Sequence, residues 1–217
     1  MSSADMFIPL KDTNPALRAP FVTYGLIIAN LLIFLLEYVF NLDSLVFSKD
    51  ALLDLSLRSF PTLITYQFLH GGWGHLIFNL LFLYIFGDNM EGSLGRKFFL
   101  LFYLSCGVGA ALFEVFFDPY FGLNGPGLLI GASGSISGVL AGYALRYPRA
   151  KVLTWTLFIF FLEIRAIWFI GIWIATQFIY EIMTPADGTA YIAHIGGFVT
   201  GLLMYSIYHK YRLSRKA

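Results

Sequence analysis

Residues 128–147 read LLIGASGSISGVLAGYALRY, a run with no charge until Arg146. Its length matches the roughly 20 residues that a helix needs to cross a bilayer core. Its content is unusual, because Gly134, Gly138 and Gly142 recur at every fourth position and leave one helix face flat. Small residues at that spacing let two helix backbones approach closely in lipid. The run Tyr191 to Tyr208 offers a matching flat face in Gly197 and Gly201. Pairing these two segments brings Ser133 near His194, which stands one turn before Gly197.

Further runs of the same kind lie to both sides. Phe21 to Phe40, Phe98 to Phe117 and Ala166 to Ile182 are apolar with charges only near their ends, and His70 to Phe86 is apolar but opens with His70, Gly71, Gly72 and His75. Together with the two glycine-faced segments they make six spans, so the expected fold class is an all-α membrane protein, a six-transmembrane-helix bundle. The run Val152 to Leu162 is too short to cross and is expected at the interface or as a re-entrant piece. The expected organisation is a cytoplasmic segment over residues 1–20, a membrane domain over 21–209 and a basic cytoplasmic tail over 210–217. The polar start, with Asp5, Lys11, Asp12 and Arg18, is unlike a basic n-region, so no cleaved signal peptide is expected.

Composition supports the bilayer and narrows the partners. Of 217 residues 58% are hydrophobic and 12% charged, more apolar surface than a soluble domain can hide. The net charge of +1 and the scatter of basic residues between apolar runs argue against nucleic acid. A lone Cys106 excludes an intrachain disulfide and a multi-cysteine metal site. Histidine is sparse as well, so although four histidines could in principle ligate a metal, neither a metal nor another cofactor is expected.

Basic residues concentrate in cytoplasmic loops. With six spans, one side holds Lys11, Arg18, Arg96, Lys97, Arg146, Arg149, Lys151, Arg165, Lys210, Arg212, Arg215 and Lys216, and the other only Lys49 and Arg58, which accounts for all 14. Both termini are therefore expected in the cytoplasm, with the chain in the plasma (inner) membrane. In the first outer loop, Asn41 to Ile64, Asp50, Asp54 and Arg58 share one helical face while Leu53, Leu57 and Phe60 form much of another. That pattern suits an amphipathic helix on the membrane surface, ended by Pro61.

Depth gives a separate argument about chemistry. In this orientation the second, fourth and sixth spans all enter from the outer side. Ser133 lies five residues into the fourth, roughly 8 Å below the boundary at about 1.5 Å per residue. His194 sits early in the sixth span, and His75 and Asn79 occupy the early turns of the second, so four polar groups meet at similar depth. Polar side chains at membrane depth are candidates for function. A serine hydroxyl needs a base to take its proton, and histidine is the usual one. His75 and Asn79, at i and i+4, share a face and can aim at one developing oxyanion, with the Ser133 amide. Interhelical hydrogen bonding is the alternative duty for His75 and Asn79. None of Glu37, Glu114, Asp118, Asp88 or Glu91 is placed to complete a triad, and Glu91 with Gly95 is expected to organise the turn before the third span.

The ordered set from His70 through Gly71, Gly72, Trp73, Gly74 and His75 to Asn79, then Gly87, Glu91 and Gly95, then Gly131-Ala132-Ser133-Gly134, then Ala193-His194-Ile195-Gly196-Gly197 with Gly201, resembles the rhomboid intramembrane proteases in order and spacing. The resemblance covers all six spans. It implies a compact rhomboid-like bundle with a short central fourth helix, a Ser133–His194 dyad, and cleavage of transmembrane protein substrates near the outer boundary. A gate between the second and fifth helices is a further implication of the likeness. Two positions depart from the family pattern. Pro61 and Thr62 stand where the family often has a Trp-Arg pair, and Ser137 stands where some members place an aromatic ring against the catalytic histidine. Ser135 and Ser137 are alternative nucleophiles. A catalytically silent scaffold that binds membrane clients is the rival function, and a small transporter is a second, without the repeats or midplane carboxylates that one would carry.

Overall fold

The computed structural model describes residues 7–14, 16, 18–57, 59–121, 127–156, 160–183 and 188–215. Asp5, Arg58 and Lys216, which entered the reading of charge, lie outside the described residues, as does the side chain of Asp118.

Among the described residues six longer helices form the bundle: α1 (Phe21–Glu37), α4 (Trp73–Leu94), α5 (Arg96–Phe121), α6 (Ser133–Arg146), α7 (Ala166–Met183) and α8 (Tyr191–Ser214). Among the described residues, Arg96–Phe117, Ala166–Met183 and Tyr191–Ser214 are each long and apolar enough to cross a membrane, and α4 joins them when counted with the bent segment Ser59–Phe68 before it. The 14 residues of α6 span only about 21 Å. Gly134 through Ala144 are buried without interruption, so α6 is the central post around which the other helices stand. Helix α8 runs on to Ser214, which makes most of the expected tail helical.

Lipid tails are as apolar as leucine, so close packing rather than escape from water holds such helices together. Contacts around α6 are correspondingly tight. A Cβ built on Gly138 would lie 2.2 Å from Cys106 Sγ, and one on Gly142 would lie 2.6 Å from the Met90 methyl group. Phe86, Met90, Phe102, Tyr103 and Leu140 fill the surrounding layer and are all fully buried. Helices α6 and α8 run parallel, with Gly197 against Gly134 and Gly201 against Gly138, at backbone contact.

The short apolar run after α6 neither crosses nor re-enters the membrane as a helix. Strands β4 (Lys151–Thr156) and β5 (Phe160–Arg165) pair antiparallel, and β1 (Phe7–Asp12) adds to the free edge of β4, giving the order β1-β4-β5. Alternation explains the strand: Val152, Thr154 and Thr156 are buried while Lys151 is exposed. β1 is also tied to the bundle. Tyr143 donates its hydroxyl proton to the Asp12 carboxylate, which also accepts from Asn89 Nδ2 at 3.1 Å. Burial raises the Asp12 carboxyl from 3.8 to about 6, against the lowering effect of the Tyr143 hydrogen bond.

The segment Asn41 to Ile64 also departs from a single amphipathic helix. Two short helices, α2 (Lys49–Leu53) and α3 (Ser59–Thr65), flank a break where Leu55 takes φ 53°. Pro61 lies in the first turn of α3, where its missing N–H leaves no helical bond unmade, so it opens a helix rather than ending one. Leu53, Leu55, Leu57 and Phe60 remain exposed, an apolar fringe on this loop. Glu91 does more than shape a turn. Its carboxylate accepts from Val22 N at 3.1 Å and from Thr23 N and Oγ1 at 2.8 and 2.9 Å, capping α1 from α4.

Candidate active site

Ser133 is the first residue of α6, and an extended segment delivers it there. Strand β3 (Leu128–Leu129) pairs with β2 (Phe47–Ser48), after which Gly131 donates its N–H to Tyr66 O at 2.9 Å. Gly131 holds φ +116°, and a Cβ there would stand 2.7 Å from the His75 ring. Only glycine meets both demands. The helix then begins with Ile136 N bonded to Ala132 O, so the N–H groups of Ser133, Gly134 and Ser135 come before the first helical bond.

The glycine contacts between α6 and α8 bring the two halves of the site together. Ser133 Oγ lies 2.8 Å from His194 Nε2. On the other side of the ring, His194 Nδ1 lies 2.7 Å from Gln177 Oε1. Gln177 cannot turn its amide freely, because its Nε2 donates to Trp173 O at 3.2 Å. Oε1 therefore faces the imidazole as an acceptor, Nδ1 carries the ring proton, and Nε2 presents its lone pair to the serine hydroxyl. Trp173 flanks the ring at 6.0 Å between centroids, and Tyr191 meets it edge-on at 6.2 Å.

The other serines are turned elsewhere. Ser135 donates to Gln67 Oε1 at 2.9 Å and Ser137 to the carbonyl of Ser133 at 2.6 Å, and both are fully buried. His75 and Asn79 stand on the first turns of α4 and line the same cavity as Ser133 and His194, a space of about 570 Å³ between α4, α6 and α7. The Gly71 N–H points to His75 Nδ1 at 3.4 Å, which leaves the ring proton on Nε2. Asn79 is 7% exposed and its Nδ2 has no hydrogen-bond partner in the protein, a spare donor at the cavity wall. Among the described residues, no three of His, Cys, Asp and Glu gather closely enough to hold a metal.

The sequence reading placed Ser133, His194, His75 and Asn79 in one layer, and the structure brings all four to one cavity. It missed Gln177 and Trp173. Gln177 is a lone amide within the apolar run Ile167 to Ile182, and the rule that drew attention to Asn79, a polar group at membrane depth, applies to it equally. Trp173 supplies from α7 an aromatic flank that Ser137 on α6 does not.

A family model described as the rhomboid domain matches residues 58–211. Among curated proteins, the chain is 28% identical to "RHOMBOID-like protein 12, mitochondrial" of Arabidopsis thaliana over 88% of its own length and 59% of the relative's. It is 31% identical to "Rhomboid protein 1, mitochondrial" of Saccharomyces cerevisiae over 65% of its length and 40% of the relative's. Likeness to "Rhomboid-like protein 11, chloroplastic" of Arabidopsis thaliana is 31% over 60% of this chain and 44% of that one. The chain thus spans about half the length of these relatives.

Proposed function

Because the chain belongs to the rhomboid family, we propose that it is an intramembrane serine endopeptidase, with Ser133 as nucleophile, His194 as general base, and His75 and Asn79 as oxyanion donors. The observation that carries this reading is the hydrogen-bonded series Ser133–His194–Gln177, which presents the basic nitrogen of the ring to the hydroxyl. In the proposed reaction Ser133 Oγ adds to the scissile carbonyl carbon while its proton passes to His194 Nε2. The negative charge that forms on the carbonyl oxygen meets the unspent Asn79 amide, the His75 Nε2–H and the amides at the start of α6, whose helix dipole has the favourable sign. Collapse of the adduct expels the amine with the proton from His194. Water then attacks the acyl-serine by the same steps in reverse order.

The proposed substrates are transmembrane segments of other proteins. A substrate helix satisfies its own backbone hydrogen bonds in lipid, so it must unwind locally to offer a peptide bond. Helix-weakening Gly or Pro near the scissile bond therefore promotes cleavage. The distribution of basic residues supports an orientation with both termini on the cytoplasmic side and the site towards the outer face.

Cleavage of a reporter transmembrane substrate by the full chain in proteoliposomes tests the reading. Ser133→Ala and His194→Ala should each lower the rate at least about 10³-fold, since members of such a unit act together. A serine-directed phosphonate should label the wild type and fail with His194→Ala. Full activity in either variant would overturn the dyad assignment, whereas a wild type that neither cleaves nor takes the label would leave the client-binding scaffold.

A further inference from the structure

Resting on the protease reading above, we propose that Gln177 is the positioning residue of His194 and makes the reactive pair conditional on the seating of α7. The serine and histidine sit on α6 and α8, which are locked by backbone contact, so neither helix can move without the other. The residue that fixes the histidine ring belongs to neither. It stands on α7, a helix held quite differently along its two halves.

The inner half of α7 is anchored. Ala166 N donates to Ala150 O at 2.7 Å, β5 leads directly into the helix, and Phe169 and Ile170 are buried, with Phe169 against Phe82 and Phe86. Beyond Trp173 the described part of α7 buries only Gln177 and Glu181, while Phe178, Ile179, Ile182 and Met183 are exposed. This outer half borders the cavity through Trp173 and Gln177, and it meets its neighbours through side chains that are only partly buried, Trp173 facing Phe82 at 6.5 Å and Tyr180 facing Tyr191 at 5.8 Å.

The leverage is large. A bond of 2.7 Å passes out of hydrogen-bonding range when lengthened by about 0.8 Å. Gln177 lies eleven residues beyond Ala166, about 16 Å along the helix axis, so a swing of about three degrees about the anchored end is enough. Once Oε1 withdraws, nothing in that contact favours the proton on Nδ1 over Nε2. The ring is then free to present a protonated Nε2 to the serine, a tautomer that cannot act as base.

Kinetics of the full chain in proteoliposomes, combined with ring-¹⁵N spectra of histidine-labelled protein, test this. In the wild type the His194 signal, assigned by its loss in His194→Ala, should be that of the Nδ1-protonated tautomer. Gln177→Leu should shift it towards Nε2-protonated and lower kcat about 30-fold or more with KM within twofold. Gln177→Glu, which keeps an acceptor, should recover most of that rate. Phe169→Ala, which loosens the anchored half, should lower kcat in the wild type but by less than twofold in the Gln177→Leu background. A wild-type Nε2-protonated signal, or Gln177→Leu within threefold of wild-type kcat, overturns the positioning role. Fully multiplicative effects of the two substitutions overturn the dependence on α7 seating. Should Gln177→Leu fail to fold, the wild-type spectrum and Gln177→Glu still decide. If the wild type cleaves nothing and Ser133 resists phosphonates, the protease reading fails by itself, and the nitrogen spectrum continues to test Gln177.

Discussion

Gly197→Ala is the substitution by which the packing of the bundle and the chemistry of its site can be tested together. A Cβ at position 197 would lie 2.0 Å from the Gly134 carbonyl oxygen and 2.8 Å from its carbon, whereas ordinary contact begins near 3.4 Å. The shortfall of about 1.4 Å falls on backbone, which has no rotamer to change, so α6 and α8 must separate. Gly134 adjoins Ser133, and Gly197 is one turn from His194. Moved apart by that amount without rotation, Ser133 Oγ and His194 Nε2 go from 2.8 Å to about 4 Å, beyond any hydrogen bond. Overpacking of this kind costs roughly 1–3 kcal/mol of stability, and a misplacement of about 1 Å costs about 10² in rate. Gly201→Ala makes a related clash, 2.5 Å from Gly138 Cα, but a turn further from the dyad. Gly171→Ala has nothing within 4 Å and serves as control. Thermal unfolding in detergent and cleavage in proteoliposomes should rank activity as wild type and Gly171→Ala, then Gly201→Ala, then Gly197→Ala. Should Gly197→Ala cleave within threefold of wild type, the glycine contact does not position the pair.

Other perturbations follow from the same geometry. Asn79→Ala removes a donor that the folded protein does not otherwise use, so kcat should fall about 10²–10³-fold with stability nearly unchanged; an equal rise in KM would assign Asn79 to substrate binding instead. Gly131→Ala places a side chain at φ +116° and against the His75 ring, and should lower both the unfolding midpoint and the cleavage rate, whereas retention of both would refute the close approach. Asp12 has a folded-state pKa raised to about 6, chiefly by burial and in part by Asp88. The native state therefore holds a proton that the unfolded chain releases near pH 4, and this contribution to stability is present below that pH and lost as pH rises through 6. Asp12→Asn copies the protonated form, and its unfolding midpoint should vary less between pH 4 and pH 7 than that of the wild type. Parallel profiles for the two would show that Asp12 does not set this dependence.

Sequence patterns reached the helical bundle and the closeness of Ser133 to His194 because both are written in short-range terms, namely long apolar runs and glycines at four-residue steps. What they missed depends on distant partners. Lys151–Thr156 carries the β-branched and aromatic residues of a strand, yet one of its two neighbours in the sheet is the distant Phe7–Asp12, and within a membrane protein an apolar run too short to span invites an interfacial reading first. Pro61 was expected to stop a helix because proline disrupts helix interiors, and at the first turn the same residue is tolerated. Gln177 was visible as a polar residue in an apolar run, but its use depends on which face of α7 turns inward, and the nearly uniform apolarity of that helix conceals this.

The sheet also orders events during synthesis. Asp12 pairs with Val152, a separation of 152 − 12 = 140 residues, and β4 cannot be completed before α1, α4, α5 and α6 have been made. Loop-closure entropy grows only slowly with length, so the long wait adds little to the thermodynamic cost, but contacts of high sequence separation form late. Of the three strands in this sheet, β1 is translated first and is among the last to find its place. Its docking onto β4, with Asp12 received by Tyr143 and Asn89, requires α6 and α4 to stand side by side where both side chains reach the carboxylate.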